Sequence, residues 1–200
     1  MARAPWPRLV LASGNPGKLR ELRALLAGVV TEIVPQSELG VPSPEETEAT
    51  FLGNALLKAR HAARLTGCAA LADDSGLEVD ALGGAPGVRS ARYAGEGADD
   101  AANNARLLSD LAGVPAPRAA RYRAVIVLVR DADDPAPLIA EGTWEGRIAD
   151  VARGTGGFGY DPLFLVGDGE RSAAELAPAE KNRDSHRACA LAKLLAELGR

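Results

Sequence analysis

Residues 9–22, LVLASGNPGKLREL, pass from an unbroken apolar run to helical spacing across one short polar loop. The run RLVLAS (8–13) reads as a short buried strand ending at a turn. Asn15 then offers a helix N-cap, Pro16 stands at the first helical position, and GKLRELRALLAG carries the helix to Gly28. TEIVPQ (31–36) reads as a second strand, which completes a β-α-β start. The fold class that follows is α/β, a mixed sheet with helices packed on it.

The rest of the chain extends this pattern. Residues 37–48 read as an exposed loop. From Thr50, apolar positions Leu52, Leu56, Ala59 and Ala63 recur at helical spacing up to Gly67. CAALADDSG (68–76) reads as a buried strand ending in carboxylates, LEVDAL and GVRSARYAG as an irregular strand pair, and 98–112 as a helix. RYRAVIVLVRD (121–131) and PLIAEGTWEGRIAD (137–150) read as two antiparallel strands. A glycine-rich loop, a strand at PLFLV and a helix with Leu191, Leu194, Leu195 and Leu198 on one face close the chain. There is no internal repeat and no separating linker, so residues 1–200 read as a single domain.

Composition narrows the function classes. The 200 residues are 46% hydrophobic and 25% charged, as in an ordinary globular protein with a sizeable core. A net charge of -4 argues against nucleic-acid or anionic-membrane partners, which need a large basic field. Polyanionic small molecules stay open, since a local basic pocket suffices for them. Cys68 and Cys189 have no metal-ligand spacing and read as small buried hydrophobes of a reducing compartment. No apolar run approaches the roughly 18–20 residues of a membrane span. The basic lead MARAPWP runs into an apolar stretch too short for a signal peptide, so the expected location is cytoplasmic.

Four stretches carry chemistry. At Ser13–Lys18 the phosphate-loop pattern G-x-x-x-x-G-K-[ST] fails twice, at Ala12 and at Leu19. Small residues, a helix N-terminus and the Lys18 charge still suit an anion, although a plain strand-to-helix turn with Asn15 as cap explains the loop equally well. In LADDSG, Asp73 and Asp74 are costly if buried unpaired, so they must face solvent, a cation or a metal. Extended backbone turns neighbours to opposite faces, so one should face a cleft while the other bonds nearby backbone. Oxygen ligands without His or Cys favour Mg2+ or Mn2+. Glu45, Glu46 and Glu48 form a second acidic group; acids before a helix start usually do no more than favour its dipole, and metal contact is the other reading, strengthened by the aspartate pair and the anion loop.

GTGGFG (154–159) matches G-x-G-x-x-G, but YDPLFLV follows where a dinucleotide site needs a helix. The loop reads instead as a hairpin requiring positive φ, or as a backbone wall with Phe158 ready to stack on a flat ring. In EKNRDSHRACALAKLLAEL, Asp184 or Ser185 serves as N-cap, leaving His186 and Arg187 in the first turn. Cations there oppose the helix dipole by roughly 0.3–1 kcal/mol each, the kind of broken rule that marks function. Lys181 joins them. Adjacent residues on a helix diverge by about 100°, so Ser185 and His186 cannot form a nucleophilic dyad. His61 reads as a surface residue.

Taken in order, SGNPGKLRE, EET before TFLGNALLKARHA, ALADDSGLEVDALGGAPGVRSARYAG, GTGGFGYDPLF and AAELAPAEKNRDSHR resemble the inosine/xanthosine triphosphate pyrophosphatases. The resemblance covers about residues 9–195. It implies a two-lobed α/β fold with a long central sheet flanked by helices, a nucleotide cleft between the lobes, and a homodimer. It implies Mg2+-dependent hydrolysis of ITP, dITP and XTP to monophosphate and pyrophosphate, which clears deaminated purines from the nucleotide pool. By the same resemblance Ser13, Gly14, Asn15, Pro16, Gly17 and Lys18 hold the triphosphate, and Glu46 and Asp74 hold the metal. Asp74 is also the proton acceptor, and Ser75 contacts substrate. Phe158, Gly159, Tyr160 and Asp161 line the base, and Lys181, His186 and Arg187 complete the pocket. Members commonly read F-[IL]-E-N-A where this chain has FLGNA, so Gly53 stands in place of a carboxylate. The rivals are a housecleaning pyrophosphatase for other modified nucleotides, a nucleotide sensor without turnover, and a kinase, which the failed phosphate-loop pattern disfavours.

Overall fold

The computed structural model describes residues 8–198; the basic lead before Arg8 lies outside them. Strand β1 (Arg8–Leu11) enters helix α1 (Pro16–Leu25), and β2 (Glu32–Pro35) returns parallel to it. Helix α2 (Phe51–Thr66) leads into β3 (Ala69–Val79), and α3 (Asp100–Asp110) into β4 (Ala119–Val129). Strands β5 (Leu138–Ile148) and β6 (Phe164–Val166) precede α4 (Pro178–Asp184) and α5 (His186–Leu198). The strands form one six-stranded sheet in the order β2-β1-β3-β4-β5-β6. It is mixed: β1 is parallel to β2 and β3, whereas β5 and β6 are antiparallel, with Arg147 opposite Leu165.

The chain forms two compact units. One holds the described residues up to Asp74, Ala124–Gly142 and the chain from Arg187; the other holds Ser75–Arg123 and Thr143–His186. The core of the first gathers Leu9 and Leu11 from β1, Leu22 of α1, Leu71 of β3, Ile126 of β4, and Leu191 and Leu194 of α5. Full burial of each such leucine is worth about 1.5–3 kcal/mol. The core of the second gathers Leu77, Val79, Leu107, Tyr122, Trp144, Ile148, Tyr160 and Phe164. Among the described residues, no helix is long and apolar enough to cross a membrane.

Local chemistry explains the element ends. The Asn15 side chain caps α1 by accepting from the Lys18 amide, with Pro16 at the first position. Thr50 caps α2 by accepting from the Gly53 amide, and Gly67 ends it at φ 65, a left-handed conformation that glycine adopts without Cβ strain.

Several sequence expectations shift. Helix α1 ends at Leu25 and does not reach Gly28. Strand β3 does not stop at the carboxylates but continues through Asp73 and Asp74 to Val79. The expected irregular strand pair is a single isolated bridge, Glu78 with Pro86, followed by a short 3-10 turn at Gly87–Arg92. The buried face of α2 is Phe51, Asn54, Ala55, Lys58, Ala59, Ala62 and Ala63, whereas Leu52 is exposed. Of the expected apolar positions, Ala59 and Ala63 lie on the inward face, which Asn54 and Lys58 share. Cys68 and Cys189 are thiols outside any disulfide and are half-buried, not fully buried.

Candidate active site

In the first unit, β1 delivers the chain into a capped loop. The Ser13 hydroxyl accepts from the Asn15 amide at 3.2 Å, and Asn15 Oδ1 accepts from the Lys18 amide at 3.1 Å. Gly14 lies so close to Ser43 that a Cβ there would sit 3.1 Å from its hydroxyl oxygen. The Lys18 side chain turns away from solvent, with its ammonium 2.8 Å from Asp73 Oδ2.

The two aspartates of β3 meet different cations. Asp73 is fully buried and takes Lys18 together with Arg187, whose guanidinium stands 3.3 Å from the same oxygen and also pairs with Glu21 of α1. Burial alone would raise the Asp73 pKa, but the Arg187 guanidinium and then the Lys18 ammonium hold it well below the usual carboxylate range. Asp74 faces the Lys58 ammonium at 2.7 Å, and Lys58 reaches Glu46 at 2.9 Å. Here burial prevails over the nearby lysines, and the Asp74 pKa is raised. Its Oδ2 is buried without a hydrogen-bond partner. Adjacent carboxylates with pKa values driven apart suit two roles: a permanent anion and a group able to carry a proton. Strand alternation thus gives the adjacent carboxylates different cationic partners, Lys18 and Arg187 for Asp73 and Lys58 for Asp74.

In the second unit the glycine-rich loop is folded around Asp161. The Phe158 amide donates to Asp161 Oδ2 at 2.9 Å, the Tyr122 hydroxyl donates to Oδ1 at 3.3 Å, and Lys181 forms a buried ion pair with the same carboxylate. Lys181 also lies 4.7 Å over the Phe158 ring, a cation-π contact on one face of that ring. Gly157, at φ 72, is obligatory, because a Cβ there would fall 2.0 Å from Asp161 Oδ2. The Gly159 amide donates to Asp100 at 2.6 Å, and Asn104 donates to the Gly159 carbonyl at 2.9 Å. Tyr160 is buried, with its hydroxyl donating to the Ser90 carbonyl at 2.8 Å. Burial, then Tyr93 and Asp100, raises its pKa, so it stays a donor. His186 stacks on Tyr122, with centroids 4.8 Å apart and planes 12° from parallel.

Comparison with known proteins then places the chain. A family model described as the Ham1 family matches residues 9–197. The chain belongs to the Ham1 family. A protein of Thioalkalivibrio sulfidiphilus named dITP/XTP pyrophosphatase is 59% identical over 192 residues, covering 96% of this chain and 98% of the relative. One of Methylococcus capsulatus with the same name is 61% identical, covering 96% of each chain. The solved HAM1 protein of Coxiella burnetii superposes with a TM-score of 0.87 at 51% identity, covering 96% of this chain and 98% of the other.

Within this Ham1 chain, the structure groups Ser13–Lys18, Glu46, Asp74 and Arg187 in the first unit, and Ser75, Phe158–Asp161, Lys181 and His186 in the second. Arg187 is taken up by Asp73 and Glu21, and these carboxylates offset the helix-dipole penalty that its position incurs. Among the described residues no group of three or more His, Cys, Asp or Glu is disposed to hold a metal. The donor set nevertheless fits Mg2+, which is commonly held by one or two carboxylates plus substrate phosphates. Glu46 and Asp74 converge on one ammonium, and Asp74 Oδ2 is a buried oxygen without a hydrogen-bond partner.

Sequence reasoning missed Lys58 and Asn54. Asn54, fully buried, donates to the Glu48 carbonyl at 3.1 Å and accepts from the Glu48 amide at 3.0 Å. It thereby ties the loop carrying Glu46 to α2. Their signal was a pair of polar residues at i and i+4 amid alanines, Asn54 and Lys58 in NALLKA. The missing carboxylate at Gly53 also has a structural counterpart. The Glu48 side chain lies across it, and a Cβ at 53 would meet Glu48 Cβ at 2.7 Å and Oε2 at 3.2 Å.

Proposed function

We propose that this protein hydrolyses the deaminated purine triphosphates ITP, dITP and XTP to the monophosphate and pyrophosphate, with Mg2+ as cofactor. Its near full-length identity to proteins named dITP/XTP pyrophosphatase supports the substrate class. The observation that carries the mechanism is Asp74, a buried carboxylate with raised pKa and one oxygen without a partner. In this reading Asp74 accepts the proton of a water as its oxygen attacks the α-phosphorus, and pyrophosphate leaves. Mg2+ held by Glu46 and Asp74 supplies, when bound, neutralisation of phosphate charge and a more acidic water. The amides and side chains of Ser13, Gly14, Asn15 and Gly17, with Pro16 shaping the turn, hold the phosphates. Lys18 stabilises the departing charge, and Asp73 keeps its ammonium in place.

Phe158 stacks on the purine, Gly159 allows its close approach, and Tyr160 and Asp161 hold the loop. Ser75 contacts the nucleotide. The amides of Phe158 and Gly159 already donate to Asp161 and Asp100, so Lys181 and His186 are the donors to the 6-keto oxygen. Adenine presents an amino group there, and donors meeting donors reject it strongly. Arg187 acts through Asp73. The working form in this reading is a cytoplasmic homodimer without nucleic-acid or membrane partners, in keeping with the net charge of -4; sedimentation of the purified chain tests the dimer.

The test is chromatography of products from ITP, XTP, GTP and ATP with Mg2+. Monophosphate plus pyrophosphate from ITP and XTP, with little from GTP and ATP, is the expected result. Diphosphate plus orthophosphate overturns the attack at the α-phosphorus, and no turnover overturns the enzyme reading.

A further inference from the structure

We infer that Lys58 is a built-in counter-ion of the candidate metal site, competing with the divalent cation for Glu46 and Asp74 until a bound phosphate draws its ammonium away. The inference rests on the reading of those carboxylates as metal ligands and assigns Lys58 a role that reading does not contain.

Lys58 lies on the inward face of α2 among Ala55, Ala59 and Ala62, and it is 6% exposed. Lysine at such a depth needs anionic partners, because an unpaired buried ammonium is strongly unfavourable. It has two, Glu46 Oε1 at 2.9 Å from a loop and Asp74 Oδ1 at 2.7 Å from β3. The ammonium is therefore what brings the two carboxylates together when no metal is bound. A divalent cation using the same oxygens would stand close to this ammonium in a poorly solvated site, where repulsion is screened little.

Two features decide how this conflict resolves. The loop two residues beyond Glu46 is held, because Asn54 clamps Glu48 through both its amide and its carbonyl and so ties it to α2. Asp73 cannot take the ammonium over, since it already holds Lys18 and Arg187. The flexible Lys58 stem is the movable part, and a triphosphate is the anion able to receive it. Metal and nucleotide then bind cooperatively, each enlarging the other's affinity by the same factor.

Calorimetric titration of the full chain with Mg2+ alone tests this. Wild type should bind weakly, Lys58→Met about tenfold or more tighter, within the usual range of coupling factors, and Lys58→Arg as weakly as wild type. Without metal, Lys58→Met should melt below wild type, and Mg2+ should raise its melting temperature more than that of wild type. Binding of α,β-methylene-ITP with saturating Mg2+ should weaken in Lys58→Met. Lys58→Gln provides the same comparisons should the Met variant not fold. Mg2+ affinity equal in wild type and both neutral variants overturns the inference while leaving the metal-ligand reading intact. A gain in Lys58→Met that survives Glu46→Gln overturns the assignment of Glu46 as ligand, and the inference with it.

Discussion

Replacing each of the adjacent aspartates by asparagine should do opposite things. Asp73 is a fully buried anion between Lys18 and Arg187. Removing one member of a buried ion pair costs about 3–5 kcal/mol, because its partner is left charged and desolvated. Arg187 keeps Glu21 and Lys18 is partly solvated, so the lower end, about 3 kcal/mol, applies to Asp73→Asn. For a chain of this size each kcal/mol moves the melting temperature by about 2–4 °C, giving a loss of about 6–12 °C. The pH dependence carries the same signature. The folded pKa of Asp73 is depressed, despite burial, by Arg187 and Lys18, so its stabilisation is present above the unfolded value of about 3.9 and lost as pH falls through the folded value. The gap between wild type and Asp73→Asn should thus hold from pH 7 to 5 and close on further acidification. Asp74 behaves in reverse: its folded pKa is raised by burial, so ionised Asp74 lowers stability, and acid relieves that penalty as pH falls through the raised value. Asp74→Asn leaves the buried Lys58 with Glu46 as anionic partner, so it should melt above Asp73→Asn yet lose about 100- to 10,000-fold or more in turnover. Circular-dichroism melts across pH 7 to 3 and the pyrophosphate-release rate decide the matter. Asp73→Asn melting within 2 °C of wild type, or Asp74→Asn being the less stable of the two, refutes the division of roles.

Other perturbations follow from close contacts. Gly53→Ala would set a Cβ 2.7 Å from Glu48 Cβ, an overpacking of about 1–3 kcal/mol that Glu48→Gly should relieve in a double-mutant cycle of urea denaturation; strictly additive effects would show that the two residues do not compete for space. Phe158→Ala removes the ring under the Lys181 ammonium and the proposed purine stack, so KM for ITP should rise roughly 10-fold or more, by about 1–3 kcal/mol of stacking, with stability little changed; an unaltered KM would place the purine elsewhere. Asp134→Ala serves as a structural control. Its buried carboxylate accepts from the Arg130 and Ala136 amides at 2.9 and 3.0 Å in the turn between β4 and β5, so the melting temperature should fall while the kcat of folded protein holds.

The fold was legible wherever neighbouring residues settle the backbone. Asn15 before Pro16, Thr50 before Phe51 and Gly67 after Thr66 mark their helix ends by chemistry within a few residues, and the structure uses all three as caps. Strand β3 was cut short because two carboxylates in a row read as the end of burial. Their neutralising cations lie elsewhere in the chain: Lys58 is 16 residues from Asp74, and Arg187 is 114 from Asp73. Such partners are supplied by topology, not by spacing.

The same reasoning explains why Arg187 drew notice and Lys58 did not. A cation in the first turn of α5 opposes the helix dipole, so Arg187 breaks a rule visible in the sequence. Lysine inside a helix breaks none, because it is a good helix former and normally extends to solvent. Its inward position emerges only once α2 is seen to bury Asn54 and Lys58 beside Ala59 and Ala63, while Leu52 faces out. Each of these residues alone would destabilise the first unit. Lys18, Lys58 and Arg187 together face Glu21, Glu46, Asp73 and Asp74, leaving one negative charge in excess. One added divalent cation would reverse that sign. A cluster so balanced gains most when metal and a polyanion arrive together, which is the electrostatic condition a metal–triphosphate complex meets.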